Sequence, residues 1–202
     1  MSDPVFRNGL GDAPTIEGSI CVSSIDDRGM IDLRGESGDK KFVAACKKVL
    51  GLLLPTTPRQ SADKGDITAL WLSPDQWLIT CPRANSEQLA QELQTALSGI
   101  HSLAVDVSDA RSIIRLEGDG VREVLMKGAP VDLTTSEYVE GYVRRLRFAE
   151  MAAMIHVVSD SPQIIDIFVF RSYGRYAWDW LAATSSKQSR LKIFTDQPVA
   201  AI

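Results

Sequence analysis

Residues 103–128 read LAVDVSDARSIIRLEGDGVREVLMKG, and this stretch strings a strand, a polar corner, a second strand and a helix start into one run. Segments 104–107 and 112–116 are rich in Val and Ile, which suit a pleated surface, and Ser108, Asp109 and Arg111 punctuate them. Gly118 and Gly120 bracket Asp119, a carboxylate suited to accept from the free amides of a helix that carries Val121, Val124 and Leu125 on one face. Gly128, just ahead of Pro130, ends that helix.

On the N-terminal side, 17–25 and 30–34 read as two strands around the turn Asp26, Asp27, Arg28, Gly29. Phe42, Cys46, Val49 and Leu53 then recur at helical spacing, with Lys40, Lys41, Lys47 and Lys48 on the wet side. The stretch PTTPRQSADKGD, 55–66, has the composition of a surface loop without an element of its own. ITALWLSPDQWLITC follows, two apolar runs around Ser73, Pro74, Asp75 and Gln76, which is a hairpin. Asn85 caps the next helix, with Gln88 three residues on, and Leu89, Leu93, Ala96, Leu97 and Ile100 form its buried stripe.

From Met30 to Val107 the order is therefore strand, helix, strand, strand, helix, strand, the ferredoxin-like βαββαβ arrangement. A looser second copy starts at Ser112: strand, helix, strands over 142–148, 151–158 and 163–170, and a last helix over 173–183. On that helix Tyr173, Tyr176, Ala177, Trp180 and Leu181 share the inner face, while Trp178 points elsewhere as a candidate anchor for a partner. Leu33, Gly35, Gly38 and LGLLLP are echoed by Leu116, Gly118, Gly120 and KGAPVDL. The expected fold is α+β, two ferredoxin-like βαββαβ-type repeats packed together. The expected division is an arm over 1–15 with Val5 and Phe6 as its sizeable apolar groups, repeats over 16–110 and 111–184, and a tail over 185–202 that either adds a short edge strand or stays mobile.

Composition narrows the function classes. Of the 202 residues, 45% are hydrophobic and 24% charged, the profile of an ordinary globular chain. The net charge of −4 argues against nucleic acid as a partner, because phosphate binding needs a basic field and the one dense basic run is Arg144, Arg145 and Arg147. Cys21, Cys46 and Cys81 are odd in number and far apart, as expected of reduced thiols in a cytoplasmic protein. Neither a long apolar run nor a basic, greasy N-terminal leader is present, so neither membrane insertion nor secretion is expected.

The chemistry-bearing residues do not form a familiar motif. His101 and His156 lack ligand-type neighbours at metal-binding spacing. Gly118-Asp119-Gly120 opens like a dinucleotide fingerprint, but Glu123 occupies the place of its third glycine. Asp106 and Asp109 resemble a carboxylate pair, though a tight corner calls for Asp and Ser in any case. Arg145 and Arg147 share one strand face and are placed to clamp a carboxylate or phosphate, or to steer an acidic partner. No catalytic, cofactor-binding or metal-binding residue is expected on this chain. What does need explanation is strands that are apolar on both sides: Ile165, Ile167 and Val169 alternate with Ile164, Phe168 and Phe170, leaving Asp166 as the lone charge. A ferredoxin-like sheet carries helices on one face, so the other must be covered by the second repeat, another subunit or both.

LWLSPDQWLIT, AVDVSDARSIIRLEGDGVREVLMKGAPVDL and FVFRSYGRYAWDWL, in that order, resemble the gamma subunit of bacterial heterotetrameric sarcosine oxidase, itself similar to the aminomethyltransferase (glycine cleavage T-protein) fold. The resemblance covers roughly 20–183. It implies a complex that demethylates sarcosine to glycine, passes the one-carbon unit to tetrahydrofolate or releases formaldehyde, and reduces oxygen to peroxide. It also implies FAD, FMN and NAD on the larger alpha and beta subunits. The gamma chain would be an accessory without a cofactor of its own, packed directly on alpha, with beta and delta in the same complex. In the transferase relatives the folate site relies on an acidic residue in the region that here reads RRLRFAEMAAMIHVV. Ala152, Ala153 and Met154 replace that pattern and Glu150 is the nearest carboxylate, so no catalytic residue carries over. The alternative is a freestanding folate-dependent transferase or folate-binding regulator, with Asp106, Asp109, Glu150 or Arg147 around a pterin.

Overall fold

The computed structural model describes residues 9–11 and 13–191. In chain order the elements are β1 (Ile16–Glu17), β2 (Cys21–Ile25), β3 (Arg28–Gly35), α1 (Lys40–Leu50), β4 (Ser61–Lys64), β5 (Ile67–Ser73), β6 (Gln76–Pro82), α2 (Ser86–Ala96), β7 (Ser102–Asp106), β8 (Arg111–Glu117), α3 (Val121–Met126), β9 (Val143–Phe148), β10 (Met151–Asp160), β11 (Gln163–Phe170) and α4 (Gly174–Thr184). Val5 and Phe6 of the expected arm, and the expected edge strand beyond 191, lie outside the described residues.

The first sheet runs β4-β5-β6-β3-β7, which is the ferredoxin order with β4 added at the edge. The second runs β1-β2-β8-β11-β10-β9, all antiparallel. The sheets correspond over five strands, with β1 an extra edge strand of the second: β8, β10 and β11 repeat β3, β5 and β6, and β9 repeats the added edge β4. β2 therefore fills the place of the second repeat's fourth strand, as β7 does in the first. The two ferredoxin-like repeats are thus present, with the chain interleaved between their sheets.

That interleaving corrects the expected N-terminal hairpin. β2 pairs with β8, Val22 opposite Leu116 and Ser24 opposite Ile114, rather than with β3. Residues 16–25, expected in the first repeat, thus lie in the second repeat's sheet. The reason is burial: Val22 is fully buried in the core beneath the second sheet, a place β2 reaches only beside β8. Similarly, 106–111 joins no hairpin but carries the chain from one sheet to the other.

Each sheet has a helix side. Ile31, Leu33, Trp77 and Ile79 of the first pack on Phe42, Cys46 and Leu50 of α1 and Leu89 and Leu93 of α2. Helix α1 starts at Asp39, whose carboxylate accepts from the Lys41 amide, and stops at Gly51, whose left-handed φ of 72° lets its amide reach the Lys47 carbonyl. That stop makes Leu50 the third buried residue of the stripe and leaves Leu53 57% exposed, contrary to the spacing-based expectation. In the second repeat Ile114, Leu116, Ile165, Ile167 and Val169 pack on Val121, Val124, Ala177 and Leu181.

The opposite faces meet each other. Met30, Leu70, Leu72 and Leu78 of the first sheet pack against Ile113, Val143, Met154 and Phe168 of the second. The chain itself thus covers the second apolar side, as one of the expected alternatives had it. Backbone bonds join the sheets at one edge, where Val143 N donates to the Arg59 carbonyl at 2.8 Å and Ser61 N to the Gly141 carbonyl at 2.8 Å.

Other local expectations change on folding. Residues 61–64, read as loop, form β4, because an edge strand needs backbone pairing with β5 more than apolar side chains. Asn85 and Asp119 make no side-chain cap bond: a turn of 3-10 helix precedes α2, and Gly120 opens α3. Leu10 of the arm is buried in the second core. The start of the expected tail packs as well, for the Ser185 carbonyl accepts from Ser19 N at 2.6 Å and Lys127 Nζ donates to the Ser189 carbonyl at 2.7 Å.

Candidate functional site

The two passages between the sheets run side by side and form the polar corner. Val107 N donates to the Met30 carbonyl at 2.8 Å, and Met30 N donates to Ser108 Oγ at 2.8 Å. Asp106 accepts from the Ser108 amide at 2.8 Å and from Ser86 Oγ at 2.7 Å. Burial pushes the Asp106 carboxyl up, but these bonds and nearby Arg83 hold it below the ordinary range. Asp109 pairs instead with Arg83 at 2.8 Å and Arg171 at 3.9 Å. The two carboxylates anchor a corner, and their hydrogen bonds account for their spacing.

The histidines are far from each other in role. His101 is exposed in the loop before β7. His156 is partly buried on β10, with Nε2 3.1 Å from Ser61 Oγ of β4, so it links the sheets. Burial depresses its pKa below 6.5, Asp166 and Asp63 act upward, and Arg115 acts downward. Among the described residues no group of three or more His, Cys, Asp or Glu is placed to hold a metal. Burial raises the Cys46 thiol to about 12, as suits a core residue rather than a nucleophile. Glu123, at the failed fingerprint position, is buried and accepts from Leu191 N at 2.5 Å.

Arg145 and Arg147 do share a face, and folding brings a third arginine to them. Along the inner face of the second sheet the register places Arg111, Phe170, Ala152 and Arg147 in one row. Ile113, Phe168, Met154 and Arg145 form the next row. Where the first sheet stops covering this face, a cavity of about 640 Å³ opens over Ala152, lined by Arg111, Arg145, Arg147, Met154 and Phe170. The Arg111 guanidinium lies 4.5 Å above the Phe170 ring centroid. Arg147 pairs with Glu150. In sequence Arg111 reads as corner punctuation and Phe170 as part of an apolar strand, because only the β8–β11 register sets them side by side.

A second surface feature is aromatic. Trp178, expected to point outward, is buried at 4% exposure beside Leu181, whereas Tyr173 and Tyr176, expected inside, are 43% and 45% exposed. The helix is rotated relative to the expected stripe because Gly174, which no side chain holds away from the sheet, sits against Ser112 and Gly9. No helix among the described residues is long and apolar enough to cross a membrane.

A family model for the sarcosine oxidase gamma subunit family matches residues 34–187. The chain belongs to that family. A gamma subunit from Arthrobacter sp. is 38% identical over 91 residues, 45% of this chain and 44% of that one. Another, from Corynebacterium sp. (strain P-1), is 32% identical over 117 residues, 57% of this chain and 56% of that one. The chain thus spans about half the length of the curated gamma subunits it matches. The gamma-family fold is also seen in a solved heterotetrameric sarcosine oxidase from Corynebacterium sp. U-96, with a TM-score of 0.79 at 24% identity over 89% of this chain and 91% of that one. Glycine cleavage system aminomethyltransferase T from Bartonella henselae shares the fold more distantly, with a TM-score of 0.60 at 15% identity over 79% of this chain and 44% of that one. The match from residue 34 to 187 takes in β5, β6, β8, β10, β11 and α4, the elements that carry the quoted motifs.

Proposed function

We propose that this chain is the accessory gamma subunit of a cytoplasmic heterotetrameric sarcosine oxidase and serves its assembly and stability. The complex would demethylate sarcosine to glycine, with the one-carbon unit going to tetrahydrofolate or leaving as formaldehyde, and with oxygen reduced to peroxide. FAD, FMN, NAD and tetrahydrofolate would be held by the other subunits. The alpha subunit would be the direct neighbour, with beta and delta in the same assembly. The observation that carries this reading is the family match across 34–187.

The physical role follows from where the polar groups are spent. Asp106 and Asp109 fasten the corner, His156 links the sheets, and Glu123 binds backbone. A partner therefore has surface to recognise rather than an opened core, and exposed Tyr173 and Tyr176 supply large, stiff aromatic contacts of the kind that dominate interfaces. The folate-enzyme alternative asks Asp106, Asp109, Glu150 and Arg147 to surround one crevice. Instead the aspartates serve the corner, and Arg147 and Glu150 pair with each other at the cavity.

Co-expression with candidate flavoprotein subunits tests the proposal. The tagged chain is expected to retain them in fixed stoichiometry, and omitting it should lower the melting temperature or yield of the remaining complex. A chain that purifies alone and leaves an equally stable oxidase behind would overturn it.

A further inference from the structure

The cavity over Ala152 has charge that none of the described residues neutralises. Arg147 has Glu150, and Asp32, the carboxylate across the sheet interface, already accepts from Gln76 at 2.8 Å and lies 3.7 Å from Arg34. Among the described residues, Arg111 and Arg145 have neither a hydrogen-bond nor an ion-pair partner. Arg145 is exposed, but Arg111 is half-buried, and leaving a partly desolvated guanidinium unpaired beside a second positive charge is unfavourable. Burial and Arg145 both push the Arg111 pKa down, against Asp32, which reports the same uncompensated field.

Shape adds selectivity to charge. Contact with the Phe170 ring limits where the Arg111 guanidinium can go, and its planar fork suits bidentate contact with a carboxylate. Between Phe170 and Arg147 the row is occupied only by the Ala152 methyl, which leaves the hollow, while Met154 and Phe170 give it apolar walls. Its volume of about 640 Å³ falls within the range of small-molecule sites, roughly 300–1,000 Å³.

We infer that this cleft is a binding site for a small organic carboxylate with a flat or apolar body, its carboxylate held between Arg111 and Arg145 over Ala152 and its body against Phe170. The inference stands on this chain's geometry and does not rest on the oxidase reading.

Titration of the full-length chain with benzoate, benzamide and inorganic phosphate, followed by NMR or calorimetry, tests it. Saturable benzoate binding with a Kd of about 1 mM or tighter is expected, with benzamide and phosphate each weaker by about tenfold. Arg145→Gln removes the exposed charge and Ala152→Leu fills the hollow without touching any charge. Each should weaken benzoate by about tenfold while the melting temperature holds. Benzoate and benzamide binding alike, phosphate matching benzoate, or either variant binding as the parent would overturn the assignment. So would a parent chain blind to benzoate whose Arg145→Gln variant loses its partner subunits, since the cleft would then be an interface. That outcome would leave the accessory-subunit proposal standing.

Discussion

Arg115 on β8 and Asp166 on β11 stand directly opposite each other and close a two-pronged contact, Nε to Oδ1 at 2.8 Å and Nη2 to Oδ2 at 2.9 Å. Asp166 is only 7% exposed, and on its other flank the register sets His156. It is the one charge in β11 and lies on the face between the sheets. Removing one member leaves the other poorly solvated. Asp166→Ala should cost about 2–3 kcal/mol, reduced from the fully buried case because Arg115 keeps some solvent. The double variant Arg115→Met, Asp166→Leu should recover most of that loss in urea unfolding.

Stability should rise with pH across the titration of His156. Its folded pKa lies below the ordinary 6.5, so between the two values the unfolded chain binds more protons. The contribution is complete above about pH 6.5 and is lost as pH falls toward the folded value. His156→Gln, which keeps a partner for Ser61, should flatten this part of the curve. Asp106, also depressed, acts in a separate window, losing its contribution as pH falls below 3.8. Unfolding midpoints measured from pH 5 to 8, roughly the histidine range, read the first effect alone.

Trp77 is fully buried under α1, with its ring centroid 5.8 Å from that of Phe42 and Nε1 donating to the Pro55 carbonyl at 2.7 Å. Trp77→Phe keeps an aromatic ring but strands that carbonyl. A loss of about 1–3 kcal/mol in denaturant unfolding is expected, and Trp71→Phe, which breaks no such bond, should cost less.

The two aromatic sides of α4 should separate folding from assembly. Trp178→Ala empties core space and should destabilise the chain by about 3–5 kcal/mol. Tyr173→Ala and Tyr176→Ala should leave its melting temperature nearly unchanged and weaken its hold on partner subunits by about 1–4 kcal/mol. Thermal melts beside pull-down titrations distinguish these outcomes.

The elements that sequence periodicity located well are those in which one side chain pattern meets one covering layer. β5 and β6 flank the Pro74-Asp75 turn as expected, and β9, β10 and β11 lie where their apolar runs are. Errors cluster where backbone geometry decides. Leu53 falls past a helix stopped by Gly51, and β4 pairs at an edge where Ser61, Asp63 and Lys64 give no apolar signal. For α4, spacing alone fitted two neighbouring stripes, and contact at Gly174 chose the one with Trp178 inside. The cleft was half legible: Arg145 and Arg147 stand two apart on a strand, but Arg111 and Phe170 join them through pairing at long range.

Taken by itself, the order of apolar runs determined two βαββαβ-type repeats, and strands greasy on both sides determined that a second layer had to exist. Each is a local property, set by periodicities of two and 3.6 residues that any neighbour must satisfy. Which neighbour satisfies them is decided only in three dimensions. β2 pairs with β8 across most of the first repeat, and Met30 joins Phe168 in the cluster between the sheets, partnerships that bury apolar side chains and pair strand backbone. The same packing leaves one end of the inner face uncovered, and there Arg111 and Arg145 have no counter-ion among the described residues.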